Sequence, residues 1–289
     1  VLQGNFYMTA NFLHDFSFTV TGDLNTRNQE KRIYESAQIG DAASVNGRTT
    51  RQNYRFKTYE FQQQLRWNHT FGNHYVEALL GHENYDYKYD YTYLVKTDQV
   101  FEGKDNLSNF NNMSTSRSQE DKYRTEGYLG RIRYDYAGKY HLEASFRRDG
   151  SSRFAKESRW GNFWSVGANW NVAKEAFMQP ITWVNSLKLR ADYGEVGNDA
   201  SASLYAYMGL YSANKNGGQG AYYLSQLPNL NLKWETCGSF DLGVEARLFD
   251  RWNISIDYFD KRNKDLIFNV SLPLSAGGTT NLEPTSSIL

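Results

Sequence analysis

The sequence predicts an all-β fold, an antiparallel transmembrane β-barrel segment of about ten strands. Three observations predict it. Stretches of about ten residues alternate apolar and polar side chains, the period of a strand with one dry face and one wet face. Tight turns alternate with long polar connections, as in a barrel with short turns on one side of an outer membrane and long loops on the other. The stretches 54–71 and 75–96 are far longer than the roughly 5–6 residues usual in a sandwich strand. They suit a barrel strand that crosses about 10 residues of membrane and continues outward.

Taken in order, Phe6, Met8, Ala10 and Phe12 share a face over 3–12, and Leu13-His14-Asp15 turns the chain into a strand over 16–27. The polar connection 28–53 leads to 54–71, where Tyr59, Phe61, Leu65, Trp67 and Phe71 oppose Glu60, Gln62, Gln64, Arg66 and Asn68. Gly72-Asn73-His74 turns into 75–96, and 97–121 is the second long connection. Over 122–137, Tyr128, Ile132, Tyr134 and Tyr136 oppose Arg131, Arg133 and Asp135. Ala137-Gly138-Lys139 then turns into 140–150, where Tyr140, Leu142, Ala144 and Phe146 oppose His141, Glu143, Ser145 and Arg147. Trp160, Trp164, Val166, Ala168 and Trp170 make the apolar face of 160–172, and 173–178 carries one short helical turn. Strands follow at 186–196, 235–248 and 252–270, the last two joined by Phe249-Asp250-Arg251.

Direction reverses at every connection, so all the short turns must fall on one side. Leu204–Ala213 also reads as a strand, and a lone crossing there would break that parity. Residues 197–234 are therefore expected to form a single outer loop.

Composition narrows the function. Lys plus Arg and Asp plus Glu both number 32, so there is no basic footprint for nucleic acid. The lone Cys237 excludes an internal disulfide framework, and no Cys/His spacing suggests zinc. No apolar run approaches the roughly 18 residues of a transmembrane helix. Mean hydropathy of −0.71 does not exclude a barrel, because alternation hides its apolar half. The chain begins at Val1 without a leader and runs out in Ser286-Ser287-Ile288-Leu289, so it reads as part of a longer polypeptide.

One ordered series of motifs carries a family resemblance. Arg147-Arg148-Asp149-Gly150-Ser151-Ser152-Arg153-Phe154 is followed by Arg159-Trp160-Gly161 and Phe163-Trp164-Ser165-Val166-Gly167. Glu175-Ala176-Phe177-Met178, Leu187-Lys188-Leu189-Arg190-Ala191-Asp192-Tyr193-Gly194 and Gly197-Asn198 come next. Leu232-Lys233-Trp234-Glu235-Thr236, Asp257-Tyr258-Phe259-Asp260-Lys261 and Asp265-Leu266 complete the series. Together they resemble the SusC/RagA-like TonB-dependent outer-membrane transporters over roughly residues 140–270. The resemblance implies a 22-stranded barrel filled by a plug domain, energised through TonB and capped by a SusD-like surface lipoprotein. It implies import of oligosaccharide or peptide cargo across the bacterial outer membrane, with outer-membrane lipid around the barrel and no cofactor. Residues 1–289 would be one partial barrel domain, with the plug, the TonB-contacting segment and the final strands absent.

Candidate chemistry is sparse. Arg147 on the lumen face and Arg153 in the following loop are the candidate substrate-binding residues, through bidentate hydrogen bonds to polar cargo. The structural alternative is that Arg148, Asp149 and Ser151 form a self-satisfied turn at Gly150. Tyr85, Tyr87, Tyr89, Tyr91 and Tyr93 line one strand face, which suits an interfacial girdle or an outer wall, with sugar stacking as the alternative. His69, His74, His82 and His141 lie on different strands or turns, so no metal is expected. Gly217-Gly218-Gln219-Gly220 reads as a loop tip, since no Lys-Ser/Thr pair follows. Two other classes stand beside the transporter: a complete ten-stranded barrel protease or lipase, for which no Ser/His/Asp or Asp/His constellation is found, and a soluble carbohydrate-binding sandwich.

Overall fold

The computed structural model describes residues 1–271 and 280–285. Ten strands form one antiparallel sheet. They are β1 (Leu2–Phe12), β2 (Phe16–Glu35), β3 (Arg48–Phe71), β4 (His74–Gln99), β5 (Phe110–Tyr136), β6 (Tyr140–Ser151), β7 (Trp160–Asn171), β8 (Val184–Asn198), β11 (Glu235–Leu248) and β12 (Trp252–Lys264). Two small hairpins stand apart, β9 (Leu210–Asn216) with β10 (Gln219–Gln226), and β13 (Leu266–Ser271) with β14 (Thr280–Thr285). The sheet order is β1-β2-β3-β4-β5-β6-β7-β8-β11-β12.

β8 pairs directly with β11, from Glu235 opposite Asn198 to Leu248 opposite Val184. The strand-like stretch near 204–213 therefore lies inside the single long connection, as the parity argument requires. It contributes to β9, which forms a two-stranded sheet with β10. The strand expected over 252–270 is in fact two. Asp265 adopts a left-handed φ of 56°, and beyond it β13 pairs with β14 instead of β11. The helical turn expected near 174–178 is a pair of 3-10 turns, Val172–Lys174 and Ala176–Met178.

The short turns are unusual in chemistry. Two-residue hairpin turns that follow the strand twist need positive φ, which favours Asn-Gly or Gly-Gly. Here Leu13 (49°), His14 (59°), Ala137 (54°), Phe249 (52°) and Asp250 (56°) occupy that region without being glycine. Long flanking ladders hold these strained residues in place. Neighbouring turns are also stitched together: Asn68 N–H donates to Asp15 O (3.0 Å), Ala137 N–H to Asn73 O (2.7 Å) and Phe249 N–H to Trp183 O (2.8 Å).

The chain packs as two compact units. The first comprises residues 1–7, 21–61 and 85–124. Much of what reads as loop in the sequence is strand here, since β2 continues to Glu35, β3 begins at Arg48 and β5 begins at Phe110. A knot of polar contacts closes the ends. Arg51 Nη2 donates to Asp105 Oδ2 (2.8 Å), Asn109 Nδ2 to the carbonyls of Phe101 (2.7 Å) and Lys104 (2.8 Å), and Tyr34 Oη to Gln99 Oε1 (2.8 Å). Asn46 and Asn111 donate to Asp98 and hold its carboxyl below the usual carboxylate range.

The second unit comprises residues 8–20, 62–84 and the chain from Thr125 onward. Register sorts most of its side chains from β5 to β12, with exceptions such as Arg148 opposite Tyr128 and Asp260 opposite Phe240 on the apolar side. On one face Ala144 lies opposite Ile132 and Val166, and Leu242 opposite Ala191 and Tyr258. Phe146, Trp164, Val166, Leu242, Ile254 and Ile256 are exposed on this face. On the other face Glu143 lies opposite Arg133 and Gly167, and Asp192 opposite Gly167 and Asp241. An apolar face left this open has no stable place in water.

Aromatic rows edge the apolar face. Tyr136, Tyr140 and Trp170 stack in series at the tight-turn end, with centroids 6.2 and 6.3 Å apart. Tyr128 and Trp160 meet at 6.0 Å at the other end. Eight residues separate Tyr136 from Tyr128, roughly 27 Å along a strand, or about 21 Å of height at a barrel tilt near 40°. That span approaches the ~25 Å apolar band of a membrane barrel.

Candidate functional site

The charged face of the second unit is a wall of mutually engaged ions. Arg131 Nη2 lies 3.0 Å from Glu77 Oε1, Arg133 Nε 3.0 Å from Glu143 Oε2, and Arg190 Nη2 2.6 Å from Asp257 Oδ1. Arg133 and Glu143 are paired directly across β5 and β6, whereas Arg190 and Asp257 meet over Gly243 of the intervening β11. A cleft of about 490 Å³ opens in this wall, lined by Arg133, His141, Glu143, Asn169, Arg190 and Asp192 above Gly167. Such a surface can exchange its internal ion pairs for those of a polar ligand.

The two candidate arginines have different surroundings. Arg147 sits on the wall, its Nε 2.7 Å from both Asp149 carboxylate oxygens and its Nη2 2.6 Å from Glu83 Oε2. Its side chain remains 42% exposed. Arg153 lies under the long connection, where its Nη1 donates to the carbonyls of Asp199 (2.9 Å), Ala200 (3.0 Å) and Ala202 (2.6 Å). Only 17% of that side chain is exposed. Ser151 Oγ donates to Asp199 Oδ2 at 2.6 Å beside it. The turn suggested for Arg148–Ser151 does not form, because β6 runs straight through those residues.

Sequence reasoning assigned no role to the residues that build the outer loop. Phe154 and Leu232 are fully buried and pack with Ala202, Ala206, Ile267 and Trp234. Trp234 contacts Phe154 and Phe163 at 5.5 Å each and donates from Nε1 to Arg159 O (2.8 Å). Buried Glu235 accepts from Asn198 (2.6 Å), Ser201 (2.8 Å) and the Ile267 N–H (2.7 Å). The signal was present as the motif Leu232–Thr236, but its contacts are long-range. At the tight-turn end, hydrogen bonds from Tyr140, Lys139 and Trp170 hold the Glu175 carboxyl below the usual carboxylate range.

The tyrosine ladder lies in the first unit and packs across onto β3, with Tyr91 on Tyr54 at 4.9 Å and Tyr89 on Phe56 at 5.0 Å. Along β4 these tyrosines share the odd parity of Glu77 and Glu83, whereas exposed Leu80 has even parity. They belong to the extension of β4 in the first unit. The histidines take separate partners: His69 meets Asp15, His74 meets Tyr134, His82 meets Glu126 and His141 meets Asp135. Among the described residues, no group of three or more His, Cys, Asp or Glu is placed to hold a metal.

Comparison with known proteins agrees with this architecture. The family model "TonB dependent receptor-like, beta-barrel" matches residues 2–287. The TonB-dependent receptor P39 of Formosa agariphila is 32% identical over 288 residues, covering 94% of this chain and 26% of that protein. SusC of Bacteroides thetaiotaomicron is 32% identical over 169 residues, covering 56% of this chain and 17% of its own length. The structure of the RagAB peptide transporter superposes with a TM-score of 0.89 at 21% identity, over 97% of this chain and 32% of that one. The chain thus spans about a quarter of P39, and its relatives are receptors and transporters, not enzymes. TonB-dependent receptor β-barrels are outer-membrane proteins, and an apolar face opposite a charged one is the pattern that a barrel with a wet interior requires there. By fold, face pattern and family match, this chain is a SusC/RagA-like member of the TonB-dependent receptor β-barrel family.

Proposed function

We propose that this chain forms a cargo-guiding section of the barrel wall in a TonB-energised importer of oligosaccharides or peptides, working with a SusD-like surface lipoprotein. In the full-length protein a plug domain and further strands would complete a 22-stranded barrel. The observation that supports this reading is the segregation of most side chains from β5 to β11 into an apolar face and an ion-paired face. The similarity to RagAB, a peptide transporter, favours peptides, and the family resemblance carried by the motifs over 140–270 keeps oligosaccharides in view. Within this reading Arg147 is the cargo-facing arginine, because it is half-exposed on the wall. Arg153 would act on cargo only by fixing the loop above it.

Uptake of labelled peptides and oligosaccharides by cells with and without the full-length gene tests the proposal. Loss of uptake on deleting either the gene or TonB is expected. Uptake that survives both deletions would refute it.

A further inference from the structure

Arg148 is a cation on the wrong face for a lumen residue. Arg148 has the parity of Phe146 and lies opposite Tyr128 on β5 and Asn162 on β7, all on the lipid side. It is exposed and makes no hydrogen bond or ion pair among the described residues. Its guanidinium carbon lies 5.4 Å from the Trp160 ring centroid.

The platform under it is built. Trp160 lies opposite Gly150, and a Cβ there would come within 3.1 Å of three atoms of the indole ring. Only glycine lets the indole lie this close to the β6 backbone. Tyr128 closes the other side at 6.0 Å. The nearest acidic residue in register, Glu126, is engaged by Tyr128 Oη (2.6 Å) and His82 Nε2 (3.3 Å).

Height identifies the ligand's chemistry. Arg148 is eight residues beyond Tyr140 in the inner aromatic row, roughly 27 Å along the strand, which brings it to the outer interface. At that level the anions available to a lipid-facing arginine are the phosphates of outer-leaflet lipid. A planar guanidinium matches a phosphate by paired hydrogen bonds, and stacking on an indole leaves its edge free to make them. We infer that Arg148, seated on Trp160, forms a lipid-facing site for the phosphate of an outer-leaflet glycolipid. This site is separate from the cargo path and does not depend on cargo identity.

Native mass spectrometry of the detergent-extracted full-length protein tests the site, with diphosphorylated lipid A, dephosphorylated lipid A and inorganic phosphate as probes. Wild type is expected to retain the phosphorylated lipid about tenfold better than the dephosphorylated one, as one charge-assisted pair would give. R148Q should bring that ratio near one, and R148K should keep part of it while showing that the barrel folds. Equal retention of both lipids by wild type, or an undiminished preference in R148Q, would overturn the site. Inorganic phosphate bound as tightly as the lipid would overturn the lipid as its source.

Discussion

Replacing Arg153 by Met removes the clamp on the outer loop while preserving most of the side chain's volume. One nitrogen, Nη1, serves the carbonyls of Asp199, Ala200 and Ala202. A hydrogen bond from a charged donor contributes about 1.5–3 kcal/mol, and three acceptors sharing one nitrogen do not add in full, so the loss is about 2–4 kcal/mol. The Ala202, Ala206 and Met208 amides, which donate to the carbonyls of Asp199, Ser203 and Tyr205, report on this loop. Their hydrogen exchange should accelerate roughly 30- to 700-fold, while amides of β6 and β7 hold their rates. Arg153→Lys should recover part of the protection. Exchange changed less than about twofold in Arg153→Met would refute the clamp. A direct cargo role for Arg153 would instead depress uptake at unchanged exchange.

Other expected outcomes follow from the same contacts. Phe154→Ala opens a cavity among Ala202, Ala206 and Leu232, and about 3–5 kcal/mol of local stability should be lost. Protease nicking within 197–234, at concentrations that leave wild type intact, would report it. Gly197→Ala would place a Cβ 2.0 Å from the Phe163 ring, and displacing that ring should cost about 1–3 kcal/mol and lower the melting temperature. The Glu175 carboxyl is lowered in the folded protein, so its stabilisation is present above the ordinary carboxylate pKa of about 4.3 and is lost as pH falls through the folded value. Emission of Trp170 should therefore change on acidification in wild type and lose that transition in Glu175→Gln.

Legibility in the sequence followed physical environment. All ten strands of the sheet were readable where one face meets lipid, because Tyr140–Phe146 and Phe240–Leu248 alternate cleanly. The extensions of β2 past Arg27 and of β5 before Lys122 were read as loop. Polar residues dominate both faces there, and the few apolar ones, Ile33, Tyr34, Phe110 and Met113, do not alternate, so no period-two signal survives. The break at Asp265 was invisible because a single left-handed residue leaves the flanking pattern intact. The turn suggested at Gly150 failed for a related reason. Glycine is needed there for the approach of Trp160, not for a bend, and only the register shows which. For the candidate site, Arg147 and Arg153 looked alike in sequence, and contacts 46 to 64 positions away separated them. The loop core at Phe154, Leu232 and Trp234 was a motif without a role for the same reason.

In a barrel of this kind one face of the sheet meets lipid and the other a wet lumen. Single cysteines at Leu142, Glu143, Ala144 and Ser145 of β6, introduced into full-length protein with Cys237→Ser and probed in native outer membranes, test it most directly. A water-soluble maleimide should label positions 143 and 145 and spare 142 and 144. Equal labelling at all four positions would contradict the account.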